Sequence, residues 1–188
     1  MYHCKIATTA AEFRAIASLN YATFAEEIPQ HPPNPDKVLV DKFHDENTYL
    51  VFYQNKELIG MLAFRDVRPF SLDGKIGAIE QHLDADTCRK LCEIRLLAIK
   101  PAHRNSFVFL RLAQTLYVYI LHQNYSACVI SGTTRQQKLY RRIGFQQFAP
   151  EVGAAEARFQ PMVLSAVAAR DFYAQFQRKQ HIFFPGPV

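Results

Sequence analysis

The stretch Cys92–Phe145 constrains this chain most. Cys92-Glu-Ile-Arg-Leu-Leu-Ala-Ile-Lys-Pro101 is a strand-like apolar run that stops at a proline. A short polar turn follows, His103-Arg104-Asn105-Ser106, and then Phe107–His122 is apolar over the length of a helix. Ala127–Ile130 reads as a second short strand. Lys138-Leu-Tyr-Arg-Arg-Ile-Gly-Phe145 reads as a helix closed by Gly144. Strand, turn, helix, strand and helix make a βαβα unit. Such units bind ligands at the carboxyl ends of their strands, where helix N-termini offer free N–H groups to anions.

The flanks supply what surrounds that unit. His3–Ala7 predicts a strand. Thr9-x-x-Glu12 is a capping box that opens a helix with Phe13, Ile16, Ala17, Leu19, Phe24 and Ile28 as its apolar positions, ended by Pro29. Gln30–Pro35 holds three prolines and must be extended or turning. A short helix is expected within Asp36–His44. Thr48–Tyr53 and Leu58–Val67 read as a β-hairpin around Gln54–Glu57. Ile76–Leu83 reads as a helix, Gln146–Glu156 as a loop, Arg158–Ala166 as a strand and Arg170–Lys179 as a helix. The expected class is therefore α/β (α+β) with a mixed sheet.

With 188 residues, 49% hydrophobic and 21% charged, the chain suits one globular domain, here expected over 1–167, with 168–188 a helix and a linker-like tail. No apolar run reaches the ~18 residues of a membrane span, and no signal peptide is visible at the start. A cytoplasmic location follows, with Cys4, Cys88, Cys92 and Cys128 as reduced thiols. Their spacing lacks the second pair that a zinc site needs, so no metal is expected. The net charge of +5 is spread without a basic run, which argues against nucleic acid and suits a small anionic ligand or an acidic carrier protein.

Glu93–Arg104 and Leu139-Tyr140-Arg-Arg-Ile-Gly-Phe145 give the chain its resemblance to the GNAT acyltransferase superfamily. Phe24-Ala-Glu-Glu27, Asp41-Lys-Phe-His-Asp45, Gly60–Arg65 and Glu93-Ile-Arg95 make it look more like the N-acyl amino acid synthases and acyl-homoserine-lactone synthases within it. The resemblance implies a GNAT fold, a mixed, mostly antiparallel central sheet flanked by helices. It implies transfer of an acyl group from acyl-CoA or an acyl carrier protein thioester to a small-molecule amine such as an amino acid. The alternative is a non-catalytic GNAT-like sensing or partner domain of a larger enzyme. One departure stands out. The family's donor loop has small residues where this chain has Phe107 and Phe109, and bulk there would crowd a pyrophosphate. Long acyl thioesters are therefore expected to bind better than acetyl-CoA.

The same resemblance places the candidate residues. Tyr140 stands where the superfamily has a general acid for the leaving thiolate; the alternative is a tyrosine that only packs its ring. Glu93 is placed to take the proton of the attacking ammonium, or else to pair with Arg95. Leu97, Ala98, Ile99, His103, Arg104, Asn105, Ser106, Phe107 and Val108 form the expected donor-binding run. Glu26, Asp45, Arg65 and Arg95 are candidates for the amine substrate, the arginines for a carboxylate, with solvated helix ends and exposed strand positions as the other reading. Phe184-Pro-Gly-Pro-Val188 looks like the opening of class V aminotransferases. It suggests packing of the tail on a neighbouring subunit, as in a homodimer, or a fused second domain.

Overall fold

The computed structural model describes residues 2–104, 106–154 and 157–183. Its elements in chain order are β1 (Tyr2–Ile6), α1 (Ala10–Tyr21), β2 (Thr48–Gln54), β3 (Glu57–Arg65), α2 (Asp73–Ile76), α3 (Ala85–Cys88), β4 (Leu91–Ile99), α4 (Ser106–His122), β5 (Ala127–Thr133), α5 (Gln137–Arg142), β6 (Gln146–Gln147), β7 (Val152–Ala154), β8 (Ala157–Ser165) and α6 (Ala166–Phe183). They fall into two compact units. The first holds Met1–Val67 and Ile94–Leu112, the second Arg68–Glu93 and Ala113–Val188.

In the first unit β1 pairs antiparallel with β2, and β2 with β3, while β4 lies beside β3. The β2–β3 turn is Asn55-Lys56, both at positive φ (48° and 71°), the twist-matched hairpin geometry. Helix α1 starts at the capping box. Thr9 Oγ1 accepts from the Glu12 N–H, and the Glu12 carboxylate accepts from Thr9 N–H at 3.0 Å. Its stripe Ile16 and Leu19 packs with Tyr49, Val51, Met61 and Ala98 into this unit's core. The helix does not simply stop before Pro29. From Ala22 to Glu27 it widens into a π-helix, with Ile28 N–H donating to Thr23 C=O at 2.9 Å. Gly60 sits where a Cβ would meet Ala98 O at 3.3 Å and Leu112 at 3.3 Å, so a side chain there would push β3 from its neighbours.

In the second unit Leu91–Glu93 of β4 run parallel to Ala127–Val129 of β5, the crossover expected from the βαβα pattern. Strand β5 pairs antiparallel with β8 along its whole length, and β6 and β7 also pair with β8. Phe70, Leu72, Ile79, Leu91, Ala127 and Val129 form the core on one sheet face. Helix α5 ends as expected at Gly144, whose φ is 96° and whose neighbour Phe145 donates back to Tyr140 C=O at 3.1 Å.

Several local expectations are corrected. Asp36–His44 is not a helix; it is an irregular segment that runs into the short turn His44–Glu46. Ile76–Leu83 is not one helix either, because Gly77, at φ 78°, ends α2 after one turn and a separate turn follows at Ile79–Gln81. Gln146–Glu156 contains two short strands. The tail motif Phe184–Val188 lies outside the described residues.

Candidate functional site

In the second unit, Tyr140 lies on the C-terminal side of β5. Its ring packs on Gly132, where a Cβ would come 2.8 Å from Tyr140 Cε2. The residue is buried, and its hydroxyl donates to Gln136 Oε1 at 2.9 Å. Burial pushes the phenol up to about 12, so it is fully protonated at neutral pH and available as a donor. Gln136 is four residues away in the preceding turn, a partner that helical spacing would have indicated.

Glu93 is 1% exposed and bound to a loop. Its Oε1 accepts from Ser71 Oγ at 2.6 Å and from Leu72 N–H at 3.0 Å; its Oε2 accepts from Ser71 N–H at 2.9 Å. The carboxylate thus ties residues 71–72 to β4. Glu93 is in register with Val129, which belongs to the Leu72 core, whereas Gly132 carries Tyr140. Residues 129 and 132 differ by an odd number, so Glu93 and Tyr140 face opposite sides of the sheet. The parallel ladder ends at Glu93↔Val129, and β5 continues to Thr133 with β8 as its registered partner. On the Glu93 side, Lys75 Nζ donates to Ser131 Oγ at 2.7 Å and sits 4.1 Å from the centre of the Phe159 ring.

In the first unit the two candidate arginines meet at one aromatic ring. Arg65, 3% exposed, lies 3.9 Å over Phe43 and is paired with Glu46. Arg95 lies 4.7 Å from the same ring and donates to Asp41 Oδ2 at 2.8 Å. Burial pulls the Asp41 carboxyl upward, but Arg95 together with the Phe43 N–H and Asn47 outweighs this and holds it below its ordinary range. The carboxylate partner of Arg95 is thus Asp41, 54 positions away, a contact that no local pattern signals. Phe43 itself had not stood out in the sequence. Asp45 is exposed in the adjoining turn, and Glu26 pairs with Lys37 at 3.3 Å on the surface.

The donor run is also in the first unit. Leu97 is half-buried, Ala98 and Ile99 are buried, and Val108 is fully buried in α4. Leu96 has φ 54°, a left-handed residue in mid-strand that costs about 1 kcal/mol or more and breaks the regular pleat of β4. Arg104 donates from Nε to Ile99 C=O at 2.7 Å, while its two terminal nitrogens hold Glu27. That pair lowers the Glu27 carboxyl through the Arg104 hydrogen bonds. A phosphate at Arg104 would compete with Glu27. His103 is half-buried in the turn Pro101–His103. Asn105 lies outside the described residues, as do the side chains of Ser106 and Phe107.

Among the described residues no group of three or more His, Cys, Asp or Glu is arranged to hold a metal. No helix among them is long and apolar enough to cross a membrane.

No curated protein matches the chain by sequence. Solved structures match its fold. FeeM, an N-acyl amino acid synthase from uncultured soil microbes, superposes with a TM-score of 0.73 at 17% identity over 94% of this chain and 98% of that one. BjaI, a CoA-dependent acyl-homoserine lactone synthase solved with SAM and isopentyl-CoA, gives 0.71 at 15% identity over 93% and 88%. The acyl-homoserine lactone synthase LasI gives 0.68 at 14% over 88% and 90%. These likenesses establish the GNAT architecture expected above. The model of the FeeM N-acyl amino acid synthase family matches residues 15–168, a span that takes in the second half of α1, the Phe43 cluster, Glu93 and Tyr140. The chain belongs to that family, and it is a GNAT-type N-acyltransferase that moves an acyl group from a thioester to an amine.

Proposed function

We propose that this enzyme acylates the amino group of a small amino acid-like molecule with a long acyl chain delivered on CoA or on an acyl carrier protein. The observation that carries this reading is Tyr140: a buried, protonated phenol whose ring rests on Gly132, beside the stretch of β5 that continues past the β4 ladder. The amine attacks the thioester carbonyl carbon; the C–N bond forms and the C–S bond breaks. The electron pair leaves on sulfur, and the Tyr140 hydroxyl supplies the thiol proton. The attacking nitrogen loses its proton toward Glu93. Since Glu93 Oε1 already accepts from Ser71 Oγ, the serine hydroxyl is the group that relays this proton.

Pantetheine amides pair with the backbone of Leu97–Ile99, and His103, Arg104, Asn105, Ser106, Phe107 and Val108 frame the donor. Arg65 and Arg95 are held on Phe43 and receive a substrate carboxylate in competition with their partners Glu46 and Asp41, with Glu26 and Asp45, both on the surface, for an ammonium. Residues 1–167 form the acyltransferase domain, and the tail 168–188 supports either a homodimer or a second domain. The enzyme works in the cytoplasm. BjaI, with its bound isopentyl-CoA, supports a CoA-type donor, and FeeM supports an amino acid acceptor.

A mass-spectrometric product screen tests this reading. Purified enzyme is offered acetyl-CoA, palmitoyl-CoA and palmitoyl carrier protein with a pool of amino acids. The expected result is an N-palmitoyl amino acid and little N-acetyl product. Preferred acetylation, or no amide from any donor, overturns it.

A further inference from the structure

The first unit contains a cavity that the acyl-transfer chemistry does not use. It lies between α1 and the segment Val38–Asp41, has a volume of about 230 Å³ and is open to solvent. That is several times the ~30 Å³ share of a water molecule, and somewhat below the ~300 Å³ lower end of drug-sized sites. Its walls are apolar: Phe13, Ile16 and Ala17 from the helix, and Val38, Leu39 and Val40 opposite. Val38 and Val40 are 39% and 60% exposed, so apolar surface continues out to the rim.

Two polar groups in this lining lack protein partners. Asn20 is 1% exposed; its Nδ2 donates to Leu39 C=O at 3.3 Å, but its Oδ1 is buried without a donor among the described residues. A buried carbonyl left this way costs about 1–3 kcal/mol. Arg14 lines the same cavity from the exposed side of α1, and its guanidinium has no hydrogen-bond or ion-pair partner among the described residues. Asp41, also in the lining, does not neutralise it, because that carboxylate is taken by Arg95, Asn47 and the Phe43 N–H. Arg14 and Asn20 stand six residues apart, roughly 9 Å along a helix axis.

We propose that this cavity is a binding site for a small amphipathic carboxylate. The apolar body lies between Ile16, Ala17 and Val40, the carboxylate meets Arg14, and an N–H or O–H of the ligand donates to Asn20 Oδ1. The site stands independently of the catalytic roles assigned to Tyr140 and Glu93, and its test reads binding rather than turnover.

The probe is indolepropionate, which carries an aromatic body, one carboxylate and one N–H. Calorimetry on the full chain is expected to show saturable binding at one site. Arg14→Glu, a change at an exposed position, should weaken it about tenfold or more, the size expected for one charge-assisted hydrogen bond. Tryptamine, with the opposite charge, should gain affinity in that variant. Naphthalenepropionate lacks the N–H and should bind more weakly than indolepropionate to the unaltered chain. Ala17→Leu, which fills the cavity from within a helix, should abolish binding while circular dichroism stays native; if that variant does not fold, Arg14→Glu carries the test alone. Absence of saturable indolepropionate binding, or equal binding to the Arg14→Glu chain, overturns the site. Equal affinity for the two propionates overturns the role of Asn20.

Discussion

The ring of Tyr140 rests on the bare Cα of Gly132: a single methyl group there would come within 2.8–2.9 Å of two ring carbons. Real Cβ atoms do not approach that closely, so the glycine sets where the phenol sits. Gly132→Ala is therefore expected to displace the ring by a few tenths of an ångström or more. A shift of ~1 Å in a reacting group can cost about 100-fold. The expected outcome is a fall in kcat of roughly 10- to 100-fold with KM for the donor little changed. Steady-state kinetics and a crystal structure of the variant check both halves.

Tyr140→Phe removes the hydroxyl proposed as proton donor and keeps the ring. The chemical step should slow about 100-fold, within the range for general acid catalysis, while donor binding stays nearly constant. Full turnover in this variant would show that the hydroxyl has no part in the reaction. The phenol also gives a stability signature. Its pKa is raised in the folded chain, from 10.0 to about 12, by burial. A group raised on folding contributes stability fully below its unfolded pKa and loses it as pH rises through the folded value. Between about pH 10 and pH 12, the native chain should lose stability more steeply than Tyr140→Phe in urea titrations.

Glu93→Gln tests the anchor. A carboxylate accepting from Ser71 N–H, Ser71 Oγ and Leu72 N–H becomes an amide whose NH₂ faces one of those donors. Loss of buried hydrogen bonds to a charged acceptor should cost about 2–3 kcal/mol in urea unfolding. Activity should fall as well, and restoring stability with a co-solvent should not restore it if Glu93 takes the substrate proton.

Asp41→Asn breaks a largely buried ion pair and leaves Arg95 uncompensated, at a cost of about 3 kcal/mol at neutral pH. The native Asp41 carboxyl is held below its ordinary value. A carboxyl depressed on folding contributes stability above its unfolded pKa and loses it as pH falls through the folded one. The difference between the native chain and Asp41→Asn should thus be full near pH 7 and shrink as the pH drops below about 4. A difference that stays constant down to strongly acid pH would assign the effect to packing instead.

The βαβα frame that carries Glu93 and Tyr140 could be read from the sequence because it rests on local signals. A capping box, a proline stop, a glycine cap and long apolar runs fix α1, β4, α4 and α5 to within a few residues. What escaped depends on distant partners. Arg95 finds Asp41 only after the irregular segment between Pro35 and Asn47 has folded back over Phe43, and that segment has no period of its own. Ile76, Ile79 and Leu83 have helical spacing, yet they serve the core from two separate turns and the bend after them because Gly77 breaks the backbone between the turns. The left-handed Leu96 was equally invisible: leucine prefers ordinary helix or strand geometry, and only the surrounding strand compels it otherwise.

The wide turn Ala22–Glu27 changes how insertions and deletions act on this region. A π-turn behaves as an α-helix that has taken in one additional residue without unwinding. Removing a single residue there, such as Thr23, would let the chain close into ordinary i→i+4 pitch with the residues on either side keeping nearly their present register, because the wide turn holds one residue more than an α-helix needs to cover the same rotation. Glu27 would stay on the Arg104 guanidinium. Loss of a residue from the regular part of α1 has no such slack: it would rotate the stretch after it by about 100° and carry Glu27 off Arg104, changing the charge offered at the turn after β4 with every residue in that turn left as it was.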